Sequence, residues 1–144
     1  MTVAGHATFT VEVLTPEGEV FAGDVEMVST RTETGSIGIR ANHAPLLGML
    51  APAELRLYAD GEEQPPTRFA QGEGYVQIAE GKVLILTEEA IKPEDLDTAD
   101  LQAKLDKANA AFDAAEPQSE AQKNAIRDRR RWEMFLSVAS GDAQ

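Results

Sequence analysis

Apolar residues recur at every second position through the first two thirds of this chain: Phe9, Val11 and Val13; Val25 and Met27; Ile37 and Ile39; Leu55 and Leu57; Val76 and Ile78; Val83 and Ile85. Only an extended strand puts alternate residues on one face, so each run reads as a strand with one side in a core. Turn-forming pairs punctuate the runs at Glu17-Gly18, Gly23-Asp24, Thr34-Gly35, Asp60-Gly61 and Glu80-Gly81. Many short strands joined by tight turns predict an antiparallel β-sandwich or barrel.

The period changes after Lys92-Pro93. Leu101, Leu105, Ala108 and Phe112 fall at helical spacing, predicting a helix from about Thr98 to Ala115. Pro117 breaks it, and Ser119 with Gln122 three residues on predicts a capping box that opens a second helix. Trp132, Phe135, Leu136 and Ala139 form its apolar stripe. The chain therefore divides into a β-sandwich domain over residues 1–91 and an antiparallel two-helix hairpin over residues 92–144. Neither helix is long enough to be secure in water alone, so the hairpin must bury its stripes on itself, on the sandwich or on a partner.

Composition narrows the chemistry. With 42% hydrophobic and 26% charged residues the chain has enough apolar material for a core, so wholesale disorder is excluded. The net charge is −12, and residues Met1 to Ile91 carry 5 basic against 14 acidic side chains, which disfavours nucleic-acid binding over most of the surface. The longest apolar run, Ala44 to Ala53, is interrupted by Pro45 and Pro52, so no direct membrane insertion is expected. Met1 to Phe9 lack the pattern of a secretory signal, which makes a bacterial cytoplasmic location the expectation. The absence of Cys removes disulfides and thiolate chemistry.

Catalytic and cofactor motifs are missing. Gly81-Lys82 is followed by Val83, which rules out a phosphate loop, and Gly72-Glu73-Gly74 has Gln77 where a dinucleotide loop needs its third glycine. The histidines, His6 and His43, fit no zinc motif. Asp95, Asp97 and Asp100 cluster ahead of a helix, where capping explains them better than calcium. No catalytic residue, metal or cofactor is expected. Arg129, Arg130 and Arg131 make one basic run, readable either as a solvated face or as a set that pairs with an acidic segment of a partner beside the Trp132 anchor.

One segment is more specific than periodicity: Thr34-Gly35-Ser36-Ile37-Gly38-Ile39, then His43-Ala44-Pro45-Leu46-Leu47, preceded by Thr15-Pro16-Glu17-Gly18 and Val20-Phe21-Ala22-Gly23 and followed by Ala70-Gln71-Gly72-Glu73-Gly74. In order and spacing this resembles the epsilon subunit of the F-type ATP synthase. The resemblance implies a ten-stranded sandwich on the rotor shaft, one side gripping the gamma subunit. The ring of c subunits would meet Glu33, Thr34, Gly35, Ser36, Ile37, Gly38, Arg40, Asn42 and His43. His43 is read as a contact, the alternative being a buried hydrogen-bonded residue.

The resemblance also implies a non-catalytic role coupling gamma to the c ring in proton-driven synthesis, peripheral to the cytoplasmic face of the bacterial inner membrane. The hairpin would inhibit hydrolysis when extended between the alpha and beta subunits, with Lys123, Arg127, Arg129, Arg130 and Arg131 meeting an acidic beta segment. Relatives that sense ATP carry Ile/Leu-Asp-x-x-Arg-Ala, whereas Leu96-Asp97-Thr98-Ala99 here runs into Asp100 and Leu101, so tight ATP binding is not expected. The rival readings are a free-standing adaptor and a small carboxylate enzyme using Glu88, Glu89 or Asp95.

Overall fold

The computed structural model describes residues 7–141, so His6 and the outermost ends of both predicted domains lie outside the described residues. Strands β1 (Phe9–Thr15), β2 (Gly18–Val25), β3 (Met27–Thr32), β4 (Gly35–Arg40) and β5 (Leu46–Leu50) are followed by β6 (Ala53–Leu57), β7 (Thr67–Gln71), β8 (Gly74–Ala79), β9 (Lys82–Thr87) and β10 (Ala90–Ile91). A 3₁₀ turn over Pro93–Asp95 leads into α1 (Thr98–Ala114) and α2 (Glu120–Ser140).

The ten strands form one hydrogen-bonded sheet in the order β10-β7-β6-β3-β5-β8-β9-β1-β2, with β4 paired to β3. All its neighbours run antiparallel except β1 and β9, which are parallel. The sheet folds over on itself into a sandwich because alternate residues have one common place to go. Val11, Val13, Val25, Val28, Ile39, Leu50, Leu55, Leu57, Val76 and Ile85 are all at most 1% exposed and share one core.

Two turn assignments made from the sequence need correction or refinement. Gly23 and Asp24 lie inside β2, opposite Val11 and Thr10, and the break between β2 and β3, which do not pair with each other, falls instead at a bend at buried Glu26, whose N–H donates to the Tyr58 carbonyl at 2.9 Å. Gly72 and Glu73 make a bend linking β7 to β8 rather than a β-turn, and Gly74, the first residue of β8, is required by packing. A Cβ there would lie 1.9 Å from the Leu86 carbonyl oxygen. Strands β5, β7 and β10 carry no strict alternation and were not read as strands.

The hairpin forms as expected and docks on the sandwich. Asp97 caps α1 by accepting from the Asp100 N–H at 3.1 Å, which accounts for the acidic cluster. Ser119 caps α2 by accepting from the Gln122 N–H at 3.1 Å, but the Gln122 side chain reaches back to the N–H of Gln118, one residue earlier than a capping box requires. Phe135 and Val138 bury completely against Ala70 of β7 and Leu101 of α1, with Ile91, Leu96, Trp132, Met134 and Leu136 around them. Trp132 meets the Phe135 ring edge-on, their centroids 5.8 Å apart.

Candidate functional site

Three surfaces stand out, and each follows from local sequence. The first is the stretch from Glu33 to His43, exposed throughout except for half-buried Ile37 and Ala41 and buried Ile39. Its tight end is shaped by Thr32, whose hydroxyl donates to the Gly35 carbonyl at 3.0 Å and accepts from the Thr34 N–H at 3.3 Å. Gly35, at φ 137°, occupies a conformation that disfavours a side chain. At the far end of β4, Asn42 and His43 are exposed, and His43 Nδ1 lies 2.7 Å from the Ala44 carbonyl, so His43 is not a buried residue.

Strand β4 separates the two ends of this stretch by about 17 Å at the usual rise per residue. A partner touching both Glu33 and His43 must therefore run the length of β4. Arg40, between them, faces Glu62 in a two-pronged ion pair that raises its pKa further above the ordinary value.

The second surface was missed from the sequence. Leu47 and Met49 of β5, Tyr75 of β8 and Leu86 of β9 are 74, 57, 52 and 43% exposed. Met49 is directly opposite Tyr75, Tyr75 opposite Leu86, and Leu86 beside Leu14 of β1, so they form a continuous apolar row on the outer face of the sandwich. Large apolar side chains lined up in this way mark a surface that another protein covers. The available signal was Val83-Leu84-Ile85-Leu86, apolar on both faces of one strand, which a half-buried strand has no reason to be.

The third surface is where the basic run of α2 meets the sandwich. Arg130 holds both oxygens of Glu33 at 3.0 Å and reaches Glu73 at 3.1 Å. Arg131 contacts Glu73, Glu88 and Glu89 at 3.4, 3.2 and 3.5 Å. The Glu33 bond is the main cause of the raised Arg130 pKa. Arg129 instead stacks its guanidinium 4.5 Å from the Phe112 ring of α1. Arg127 donates to Asn124 at 3.1 Å, and Lys123 lies 3.7 Å from Glu120.

The basic run thus does not act as one face: Arg130 is partly exposed yet ion-paired, Arg131 is largely covered, and Arg129 stacks within the hairpin. Two of its arginines are occupied by the chain's own carboxylates, which were not read as their partners from sequence. An open groove of about 630 Å³ separates this seam from the apolar row, bordered by Glu33, Met49, Glu73, Tyr75, Leu86 and Arg127.

Beneath the hairpin, Glu54 of β6 is 3% exposed and binds both Arg56 and Arg68, while Arg68 also approaches the Val138 carbonyl of α2 at 3.5 Å. Burial opposes the Glu54 charge, but the hydrogen bonds from Arg68 and Arg56 outweigh it and hold the carboxyl below its ordinary range. Among the described residues no three His, Asp or Glu side chains gather in a way that would hold a metal ion, and no helix is long and apolar enough to cross a membrane.

Comparison with known proteins bears on these surfaces. Residues 8–93 match the family model described as ATP synthase, Delta/Epsilon chain, beta-sandwich domain. The ATP synthase epsilon chain of Persephonella marina is 36% identical over 132 residues, spanning 91% of this chain and 96% of its own. That of Shouchella clausii is 40% identical over 92 residues, covering 64% of this chain and 67% of the relative. Among solved structures, a chain of the Euglena gracilis mitochondrial ATP synthase, in an OSCP/F1/c-ring assembly, superposes with a TM-score of 0.78 at 20% identity, over 93% of this chain and 82% of that one. With the family model spanning the whole sandwich and a relative matched through the hairpin, the chain belongs to the ATP synthase delta/epsilon chain family.

Proposed function

We propose that this chain is a non-catalytic subunit of the rotor stalk of an F-type ATP synthase, joining the gamma subunit to the c ring during proton-driven synthesis. The observation that carries this reading is the exposed apolar row Leu47, Met49, Tyr75 and Leu86, a ready interface on a stiff sandwich. Gamma covers this row. The c ring meets the stretch Glu33, Thr34, Gly35, Ser36, Ile37, Gly38, Arg40, Asn42 and His43, whose exposure suits a second contact. A body that transmits torque needs two such surfaces and no reactive group. It sits with the complex on the cytoplasmic face of the inner membrane, without inserting into it.

The test is gel-filtration co-elution with the gamma subunit of the same assembly. A stoichiometric complex that Met49→Glu weakens at least tenfold is the expected outcome; a complex indifferent to Met49→Glu and to Tyr75→Glu would move gamma to another face.

The hairpin is a second, regulatory module. Its docked posture keeps Arg130 and Arg131 on the sandwich, and inhibition of hydrolysis requires it to leave and insert between the alpha and beta subunits, presenting Lys123, Arg127, Arg129, Arg130 and Arg131 to an acidic beta segment. Unchanged hydrolysis in the assembled catalytic head after deletion of residues beyond Ile91 would refute this role. Asp97 is used in capping the Asp100 N–H, and Asp100 adds negative charge beside it, so isothermal calorimetry with ATP is expected to show no micromolar binding.

A further inference from the structure

The four carboxylates that receive Arg130 and Arg131 come from three separate turns, and the backbones of those turns are bonded without help from the arginines. The Thr87 hydroxyl, 4% exposed, lies 3.0, 3.2 and 3.0 Å from the carbonyls of Gly72, Glu73 and Glu89. The Glu88 N–H donates to the Glu73 carbonyl at 2.9 Å, the Gly72 N–H to that of Glu89 at 2.9 Å, and the Glu33 N–H to that of Met49 at 2.9 Å. Backbone bonds and the Thr87 hydroxyl therefore fix the turns that carry Glu33, Glu73, Glu88 and Glu89, and these four side chains converge on Arg130 and Arg131. The cluster is a pre-formed anionic seat whose occupant must be cationic.

Glu33 is the one member of the seat that also belongs to the β3–β4 turn, and in the docked posture both its oxygens are taken by Arg130. We propose that the seat and the turn act as one linked device. A partner that engages the turn competes with Arg130 for Glu33 and loosens the hairpin, leaving Arg130 only Glu73 and Arg131 a weakened neighbour. By reciprocity a docked hairpin lowers the partner's affinity for the turn by the same factor. The inference rests on the reading of that turn as the contact with the c ring. Under it, attachment to the ring and release of the hairpin are coupled through a single carboxylate.

The chain has no Cys, so spin labels on Cys introduced at the exposed positions Glu19 and Asn124 report the hairpin-to-sandwich distance in the full-length protein without background. Alone at low salt the label pair should give one short distance, which broadens in about 1 M salt, where screening reaches about 3 Å. Adding the purified detergent-solubilised c ring should broaden the short distance in the same sense as salt, as contact with Glu33 is lost. Arg130→Gln should bind that ring about threefold more tightly than the wild type, the factor an exposed ion pair supports. Should Arg130→Gln perturb the helix, the charge swap Glu33→Arg with Arg130→Glu tests the same contact, since it should restore the narrow distance distribution that each single change broadens. A ring that binds wild type and Arg130→Gln equally, with the short distance unmoved, overturns the linkage while leaving the ring contact intact. A ring that fails to bind the wild type removes the ring contact itself, and the linkage with it.

Discussion

The sandwich and the hairpin are held by different forces. Fourteen buried side chains, contributed by nine of its strands, make the sandwich core, whereas the hairpin rests on the sandwich through Ala70, Leu101, Phe135 and Val138 and a seam of ion pairs. Apolar burial is insensitive to salt and acid, but partly exposed ion pairs respond to both. One region is therefore built to stay as it is and the other to be moved. The same division appears in the family match, which takes in residues 8–93 and stops where the hairpin starts.

The largest effect expected from a single change is Gly74→Val. A Cβ at 1.9 Å from the Leu86 carbonyl and 2.7 Å from the Thr87 Cα meets backbone on both counts, and neither β8 nor β9 can yield without breaking a central pairing. A loss of more than about 4 kcal/mol, read as collapse of the thermal transition followed by circular dichroism, is expected. A variant that melts near the wild-type temperature would mean that the sandwich is the softer region, reversing the comparison.

Phe135→Ala comes next and should separate the two regions. Phe135 is fully buried, but every neighbour in its cluster belongs to the hairpin, its linker or the outside of β7 and β10. A cost of about 3 kcal/mol falls on docking alone. Trypsin should cut α2 rapidly while the sandwich melts unchanged. Trp132, the only tryptophan, should shift its emission to the red as its ring leaves the Phe135 site. Coincident loss of both regions would show a single cooperative unit.

The boundary between these regions was legible in the sequence because it is a change of hydrophobic period, and period is set by which faces are buried. Turn positions were less so. Gly23-Asp24 has the composition of a turn but sits near the end of β2, where pairing with β1 overrides local preference, and the break before β3 falls at Glu26, which no turn preference marks. Strand β5 was hidden because Leu46, Leu47, Met49 and Leu50 are apolar on both faces, which erases the alternation and is itself the trace of the outer apolar row. The partners of Arg130 lie 97 and 57 residues away, so no spacing rule could have named them, whereas the Asp97 and Ser119 caps were local and were found.

Acid should loosen the docked hairpin, through Glu54, before it reaches either core. Glu54 has its folded pKa below the ordinary value of 4.5, so its ion pairs with Arg56 and Arg68 add stability that is fully present above that value and lost as pH falls through the lower, folded one. Arg68 also reaches the Val138 carbonyl, so protonating Glu54 frees a guanidinium that props α2. On acidification from neutrality the hairpin's amide protection, taken relative to the intrinsic exchange rate at each pH, should fall in wild type by an amount matching roughly 1 kcal/mol. Glu54→Gln should already show the faster exchange at neutral pH and change less on acidification. If wild type and Glu54→Gln show parallel acid profiles, the Glu54–Arg68 pair does not support the docked hairpin.

The smallest predicted effect concerns neighbours in one basic run. Arg129 stacks on Phe112 of α1, within the hairpin, while Arg130 spans to Glu33 of the sandwich. Adjacent helical residues point about 100° apart, which is enough to send identical side chains to different modules. Arg129→Gln should therefore loosen α1 from α2 by about 0.5 kcal/mol, the scale of an exposed cation–π contact, with little dependence on salt. Arg130→Gln should weaken docking by a similar amount and abolish part of its salt dependence. Hydrogen exchange at low and high salt distinguishes them: Arg129→Gln should speed exchange around Phe112 equally in both, and Arg130→Gln should speed it only at low salt and only where α2 faces the sandwich. Matching responses from the two variants would mean that the run works as one diffuse patch of charge, and the distinction between a packed hairpin and an ionically seated one would fail at its centre.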